Sequence, residues 1–454
     1  MKRTAIFFLA AALLNGCGTY KRYSRPEMEL NAGDSYRHTT TPADTATLAS
    51  KPWRELFTDP RLQTLIATGL DRNTDLAVAR LQTEQAQATL KNARQAYLPS
   101  LGLTAQAGVS HYDNASKRTY DAGLTAAWEA DIFGRKANAQ RGAAAVLEQD
   151  RAYEQAVQTG LVATIAESYY TLLMLDEQTD IARQTLENWN ETVATLEALA
   201  AAGRANEVAV RQARASRAAL EASVLTLRKS VSETENSLCA LLKEPAHAVV
   251  RGTLGGQRLP DSISAGVPLQ LLSNRPDIRR AEAALAEAFY AVGAARSAFY
   301  PSLTLSGTIG WTNSGGGAIL NPGKWFSSAI AQLTAPLLDR GTNTANLKVA
   351  RARQQQAALR FEQSLLDAAS EVNDALAAWQ TACGRIALAR QQTDDLGVAV
   401  EKTRLLVRHS PANYLEVLTA QQALLEARLT LARDRTDALQ SVVSLYHALG
   451  GGKD

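Results

Sequence analysis

Few side chains in this 454-residue chain are of types that do covalent or metal chemistry. The cysteines are Cys17, Cys239 and Cys383, and the five histidines, at 38, 111, 247, 409 and 447, form no ligand-like cluster. Three methionines offer no soft-metal site. There is no Gly-x-Ser-x-Gly elbow, no phosphate loop and no His-Glu-x-x-His pair, and Gly315-Gly316-Gly317 reads as a loop apex rather than a nucleotide cradle. No catalytic residue, metal ligand or cofactor site can be nominated, which argues against an enzyme. Charge is nearly balanced, with 48 basic against 45 acidic residues, so there is no electrostatic case for nucleic acid.

Cys17 is the one residue set up for a defined reaction. A basic start, Lys2-Arg3, precedes an apolar run from Ala5 to Leu14 that is too short to span a bilayer, so residues 1–16 read as a secretory signal. Leu14-Asn15-Gly16-Cys17 is similar to the lipobox of bacterial lipoproteins, in which the cysteine becomes the lipidated first residue. Gly18 follows, with no aspartate to suggest inner-membrane retention. Residues 17–52, rich in Thr, Ala and Asp, then read as a lipidated tether. Cys239 and Cys383 fall on helical stretches at unrelated positions and read as small buried thiols rather than a disulfide.

The elements that must do the positioning come in two copies. Asn73–Leu103 and Arg275–Leu305 lie 202 residues apart and agree at ten of 31 positions, including a Pro-Ser-Leu junction. Leu76, Ala79, Thr83, Ala86, Leu90, Ala93 and Tyr97 step three and four residues apart, and so do Ile278, Ala281, Leu285, Ala288, Val292, Ala295 and Phe299. Each series is the apolar stripe of a helix that must stop before Pro99 or Pro301, because proline disfavours helix at the preceding residue.

After each proline the period changes to two. Leu101, Leu103, Ala105, Ala107 and Val109 alternate with Gly102, Thr104, Gln106, Gly108 and Ser110, and a second alternation runs from Thr119 to Ile132. The second copy repeats this from Ser302, with a fainter strand from Trp325 to Ala335 after a Gly-rich loop. The strand hairpins span about 99–133 and 301–338. They have the length of tilted membrane strands, and aromatics cluster at their ends as interfacial girdles do. Four strands cannot stand open in a bilayer, because their edges would leave backbone groups unpaired in hydrocarbon. Several chains must close one barrel: two would supply eight strands and three would supply twelve.

Long helical hairpins follow, at about 134–242 and 340–449. Ala182, Leu186, Trp189, Val193, Leu196 and Ala200 keep a coiled-coil register, as do Leu220, Val224, Leu227, Val231, Leu238 and Leu241 on the return. A helix from Gly134 to Ala202 would be about 100 Å long. The first repeat therefore covers 53–242, a Pro- and Gly-rich connector 243–268, and the second repeat 269–450.

At this point the chain resembles the TolC-like outer membrane factors, in particular the lipoprotein branch of efflux channels. The matching residues are Trp53, Phe57, Asp59-Pro60 and Leu62; Asn73, Asp75 and Leu76; Pro99-Ser100-Leu101; and Asp131-Ile132-Phe133-Gly134-Arg135. In the second copy they are Arg275-Pro276-Asp277-Ile278-Arg279, Ala281-Glu282, Gly293-Ala294-Ala295-Arg296, Phe299-Tyr300-Pro301-Ser302-Leu303 and Pro336-Leu337-Leu338-Asp339-Arg340-Gly341. The resemblance implies a membrane α+β protein: a homotrimeric, 12-stranded outer-membrane β-barrel, four strands per chain, continuous with a long α-helical coiled-coil periplasmic barrel. It also implies an exit duct that docks on a periplasmic adaptor protein and an inner-membrane pump, of the proton-driven resistance-nodulation-division type, and conducts passively.

The same resemblance nominates a periplasmic gate in Tyr414-Leu415-Glu416-Val417-Leu418-Thr419-Ala420-Gln421. Relatives commonly place aspartate at the positions matching Glu416 and Thr419, or at one of them; here the second is threonine, so one carboxylate ring at most survives. Arg404, Arg408 and Tyr414 are candidate latch residues. The turns at Gly203, Arg204 and Asn206 and at Pro411 and Asn413 are candidate adaptor contacts. The rival readings are a type I protein-secretion channel and, in a different class, a non-channel coiled-coil lipoprotein scaffold.

Overall fold

The computed structural model describes residues 21–25, 51–113, 115–258, 275–312, 324–409 and 414–452. The signal segment, Cys17, most of the tether, connector residues 259–268, the start of the second repeat, loop residues 313–323, Pro411 and Asn413 lie outside the described residues. In chain order the elements are α1 (Trp53–Leu56), α2 (Pro60–Arg72), α3 (Thr74–Gln95), β1 (Ser100–Tyr112), β2 (Ala115–Ala130), α4 (Arg135–Ala201) and α5 (Glu207–Leu241). A single 3-10 turn at Leu254–Gly256 precedes α6 (Pro276–Ser297), β3 (Ser302–Thr312), β4 (Lys324–Thr334), α7 (Thr342–His409) and α8 (Tyr414–Ala448). The helix α3 and the strand β1 map onto α6 and β3 by the same 202-residue offset that the sequence repeat shows. None of the described helices is long and apolar enough to cross a membrane.

The chain divides into two compact units. One is built from residues 81–152 and 277–364 and contains the strands. All four form one antiparallel sheet in the order β1-β2-β3-β4, so β2 and β3 join the two hairpins. Directly paired residues share a face, and the pairing aligns the apolar sides of all four strands. Leu103 lies opposite Leu124, Leu124 opposite Ile309, Ala122 opposite Trp311, and Trp311 opposite Trp325. The other face carries Thr104, Gln106, Asp121, Thr125, Thr304, Thr308 and Gln332, with Ala127, Phe326 and Ile330 among its apolar members.

Near the loop end of the β2–β3 pair Gly123 faces Gly310. A Cβ at Gly123 would sit 2.7 Å from the Ile309 carbonyl oxygen, and one at Gly310 would collide with the backbone of Ala122 and Gly123. Glycine is the residue that lets two strand backbones approach this closely.

Aspartates restart the helices after each hairpin. Asp131 accepts from the Lys136 and Ala137 amides at 2.9 and 2.8 Å, and Asp339 accepts from the Gly341 and Asn343 amides at 3.0 and 2.7 Å. Each satisfies donors that the first helical turn leaves without partners. Phe133 stacks on Tyr300 with ring centroids 4.7 Å apart, packing the helix-to-strand corners of the two repeats together. The N-terminal residues 21–25 lie on α6, where Tyr23 meets Phe289 edge-on and Arg25 forms a two-pronged ion pair with Glu282.

The other unit holds residues 51–80, 153–258, 275–276 and 365–452. Its largest cluster is built on Trp53, Phe57, Leu62, Ile66, Leu76, Ile165, Tyr169, Leu172, Leu238, Val443 and Tyr446, all buried. Fully burying such a side chain contributes about 1.5–3 kcal/mol. A second cluster follows the coiled-coil seam: Ala182, Trp189, Val193 and Leu196 pack with Val210, Leu220 and Val224 of α5 and with Tyr414, Leu418 and Leu425 of α8. The helical stripes of the sequence are thus the faces that helices present to one another.

Polar links tie the connector to this unit. Arg251 bonds Asp176 and Glu235, both at 2.5 Å. Asp59, the N-cap of α2, accepts from the Arg61 amide, from Tyr169 Oη at 2.6 Å and from Gln257 Nε2 at 2.9 Å. The Tyr169 hydroxyl in turn accepts from the Gly252 amide at 2.9 Å. Cys239 is a buried free thiol and Cys383 a partly buried one.

Candidate functional site

The turn between α4 and α5 is made by residue type. Gly203 takes φ of +69°, its amide donates to Ala200 O at 3.0 Å, and the Arg204 amide donates to Leu199 O at 2.8 Å. This is a glycine-terminated helix end, in which a left-handed residue lets the chain satisfy the last carbonyls. Asn206 then caps α5, its Oδ1 accepting from the Val208 amide at 3.0 Å.

Arg204 also lines an open groove of about 760 Å³, together with Glu191, Thr192, Thr195, Arg404, Tyr414 and Val417. Tyr414, at the first position of α8, is buried against the α4–α5 seam. Burial pushes its hydroxyl above the ordinary tyrosine value, with Arg204 opposing. Arg404 Nη2 donates to Asn188 Oδ1 at 3.1 Å, and Gln421 Nε2 contacts Thr192 Oγ1 at 3.4 Å.

The nominated gate residues therefore separate into two groups. Tyr414 and Arg404 share a groove with Arg204, facing the first helical hairpin. Glu416 and Thr419 are exposed on the opposite side of α8, where the Thr419 hydroxyl donates back to Leu415 O at 2.8 Å. Their spacing explains the split: Tyr414, Val417, Leu418 and Gln421 follow the buried stripe, and positions 416 and 419 fall between its members. Asn188, the partner of Arg404, and Thr192, which lines the groove, were not singled out from sequence, whereas Gln421 closes the nominated gate segment. Asn188 and Thr192, four residues apart beside the coiled-coil seam, were the available signal.

Pro99 and Pro301 mark the helix-to-strand corners. Around the first, Trp128 Nε1 donates to Tyr97 O at 2.8 Å and Lys136 Nζ to Ala96 O at 2.7 Å, so the carbonyls just beyond α3 are taken up by side chains of the same unit. Beyond each proline the apolar face is exposed, with Leu101 at 79% and Leu333 at 62%. In water such a face would be a liability. In hydrocarbon it is the solvated surface.

A sheet with one lipid-compatible face, one polar face and two open edges defines a class of protein: an outer-membrane channel whose barrel is closed by several copies of the chain. The chain belongs to the outer membrane efflux protein family, whose profile matches residues 65–243 and 267–451, one match per repeat. It is 32% identical over 465 residues to the cation efflux system protein CusC of Escherichia coli O6:H1, covering 98% of each chain. It is 30% identical over 469 residues to the solvent efflux pump outer membrane protein SrpC of Pseudomonas putida, covering 100% of this chain and 99% of that one. A crystal structure of CusC matches with a TM-score of 0.84 at 29% identity, covering 95% of this chain and 99% of that one. The protein is thus an outer-membrane efflux channel of the TolC-like class, in which three chains contribute four strands each to a 12-stranded barrel and their long helices to a helical periplasmic barrel. It serves as the outer-membrane exit duct of an efflux system.

Proposed function

We propose that the channel passes small toxic solutes passively, supplied by a pump of the resistance-nodulation-division type, and that the ends of its helical hairpins gate it. The observation that carries the conducting role is the sheet register, which gives every strand a polar face to line a lumen. The relatives at nearly equal identity are named for cations in one case and solvents in the other. The duct is accordingly read as permissive among small solutes, with selection made by the pump. Three copies of the exposed Glu416 form a carboxylate ring that draws cations, while Arg404, Arg204 and Tyr414 latch α8 to the first hairpin. Gly203, Arg204 and Asn206, with Pro411 and Asn413 on the other turn, meet the adaptor. Cys17 carries the lipid, and Cys17→Ser is expected to abolish labelling by radioactive palmitate. Purified trimer in planar bilayers is expected to give discrete single-channel conductance; a heat-labile trimer without conductance would instead fit the scaffold reading.

A further inference from the structure

The outward face of the sheet carries formal charge at a single place among the described residues. On β2 it runs Tyr120, Ala122, Leu124, Ala126, Trp128 and Ala130; on β3, Leu303, Leu305, Gly307, Ile309 and Trp311; on β4, Trp325, Ser327, Ala329, Ala331 and Leu333. Arg118 is the exception. It is paired with Val109 and sits two residues beyond Tyr120 towards the hairpin loop. The neighbouring outward pair is His111 with Ser116, joined by Nδ1 and Oγ 2.9 Å apart. Arg118 is exposed, and among the described residues it pairs with no carboxylate.

The position of this group in the membrane follows from the strand. From Tyr120 to Ala130 at about 3.4 Å per residue is roughly 34 Å of strand. A tilt of about 40° reduces this to roughly 26 Å of height, which is the apolar band of an outer-membrane barrel. Trp311 and Trp325 are directly paired, Tyr120 lies two residues beyond Ala122, the β2 partner of Trp311, and the three aromatics form the girdle at the outer interface. Arg118 stands about 7 Å further along the strand, at the level of the headgroups. There an arginine keeps its stem along the apolar surface and its guanidinium in the polar layer.

We propose that Arg118, with His111 and Ser116, binds the phosphate of a phosphorylated glycolipid in the outer leaflet, once per chain and three times per channel. Guanidinium matches phosphate geometry by two parallel hydrogen bonds, and a hydroxyl and an imidazole beside it supply further donors. A cation with no carboxylate partner among the described residues, on the lipid side and just above an aromatic girdle, is placed for a ligand that comes from the membrane itself. The inference rests on the barrel standing in the outer membrane and is independent of what the channel carries.

The test uses the intact trimer in detergent, with bis-phosphorylated lipid A as the probe and native mass spectrometry to count the lipids retained. Wild type is expected to hold up to three, and Arg118→Ala to bind about tenfold more weakly. Lys324→Ala, on the inward face, is expected to match wild type. Lipid A stripped of its phosphates should bind wild type as weakly as the bis-phosphorylated form binds Arg118→Ala, a comparison that needs no variant to fold. Equal retention of the two lipids by wild type, or equal retention by wild type and Arg118→Ala, would overturn the proposal. So would an equal loss in Lys324→Ala. Single-channel conductance of Arg118→Ala, expected to be unchanged, separates a failure of this site from a failure of the channel reading.

Discussion

Asn73 and Arg275, 202 residues apart, hold the same post in the two repeats. Asn73 Nδ2 donates to the Leu241 carbonyl at 2.9 Å, and Arg275 Nη1 donates to the Ala448 carbonyl at 2.8 Å. Leu241 and Ala448 are the last residues of α5 and α8. Each side chain therefore caps the return helix of its own repeat, taking up a carbonyl that the helix end leaves without a partner. Arg275 adds an ion pair to Glu371 at 2.5 Å and places a cation at the negative end of α8.

Unequal losses are expected when the two caps are removed. Asn73→Ala gives up neutral hydrogen bonds and should cost about 1 kcal/mol. Arg275→Ala strands a buried carbonyl and should cost about 2–3 kcal/mol, with Arg275→Lys falling between. Thermal unfolding of the purified trimer checks the order; equal losses for Asn73→Ala and Arg275→Ala would show that the ion pair and the charge add nothing.

Acid should loosen the unit that holds Asp59. Burial raises the Asp59 carboxyl, but hydrogen bonds from Tyr169, Gln257 and the Arg61 amide outweigh it and hold the group below its ordinary value. A depressed carboxyl contributes stability that is present above its unfolded pKa of about 3.9 and lost as pH falls through the lower folded value. Asp59→Asn should therefore melt below wild type at neutral pH, with the gap closing below about pH 4. Melting curves from pH 3 to 7 test this, and a gap independent of pH would assign the loss to something other than the charge.

The Gly123–Gly310 pair should tolerate no side chain. β-Propensity alone favours valine in a strand, yet the Cβ at Gly310 meets backbone that cannot rotate away. Gly310→Val is expected to cost about 1–3 kcal/mol of strain and to reduce the heat-labile trimer recovered from outer membranes. Gly307→Val, where the nearest atom to an added Cβ is Ser328 O at 3.5 Å, should be milder.

Glu416→Gln is expected to lower cation selectivity, or divalent-cation block, of the trimer in planar bilayers. The carboxylate is exposed in the single chain, and removing three charges from one ring changes the field in the pore while leaving shape nearly unaltered. Unchanged selectivity and block would remove Glu416 from the gate. Arg404→Ala, by contrast, breaks the bond to Asn188 and should raise the fraction of time spent open.

The sequence by itself determined the local elements and the joints between them. Stripes such as Leu76-Ala79-Thr83-Ala86-Leu90 and alternations such as Leu101-Leu103-Ala105 are set by neighbours two to four residues away, so periodicity reports them directly. Pro99 and Pro301 switch one period to the other by a steric effect on a single residue. Even the need for several chains followed from strand number and the chemistry of hydrocarbon. The tertiary structure alone decided the pairing of β2 with β3, which puts Ala122 beside Trp311 and turns two amphipathic hairpins into one face. It also decided that Tyr414 turns into the seam while Glu416 turns out, and that Asn73 and Arg275 cap helices more than 160 residues away. Those outcomes depend on partners distant in sequence, brought together by matching apolar surfaces and by polar groups that burial compels to pair.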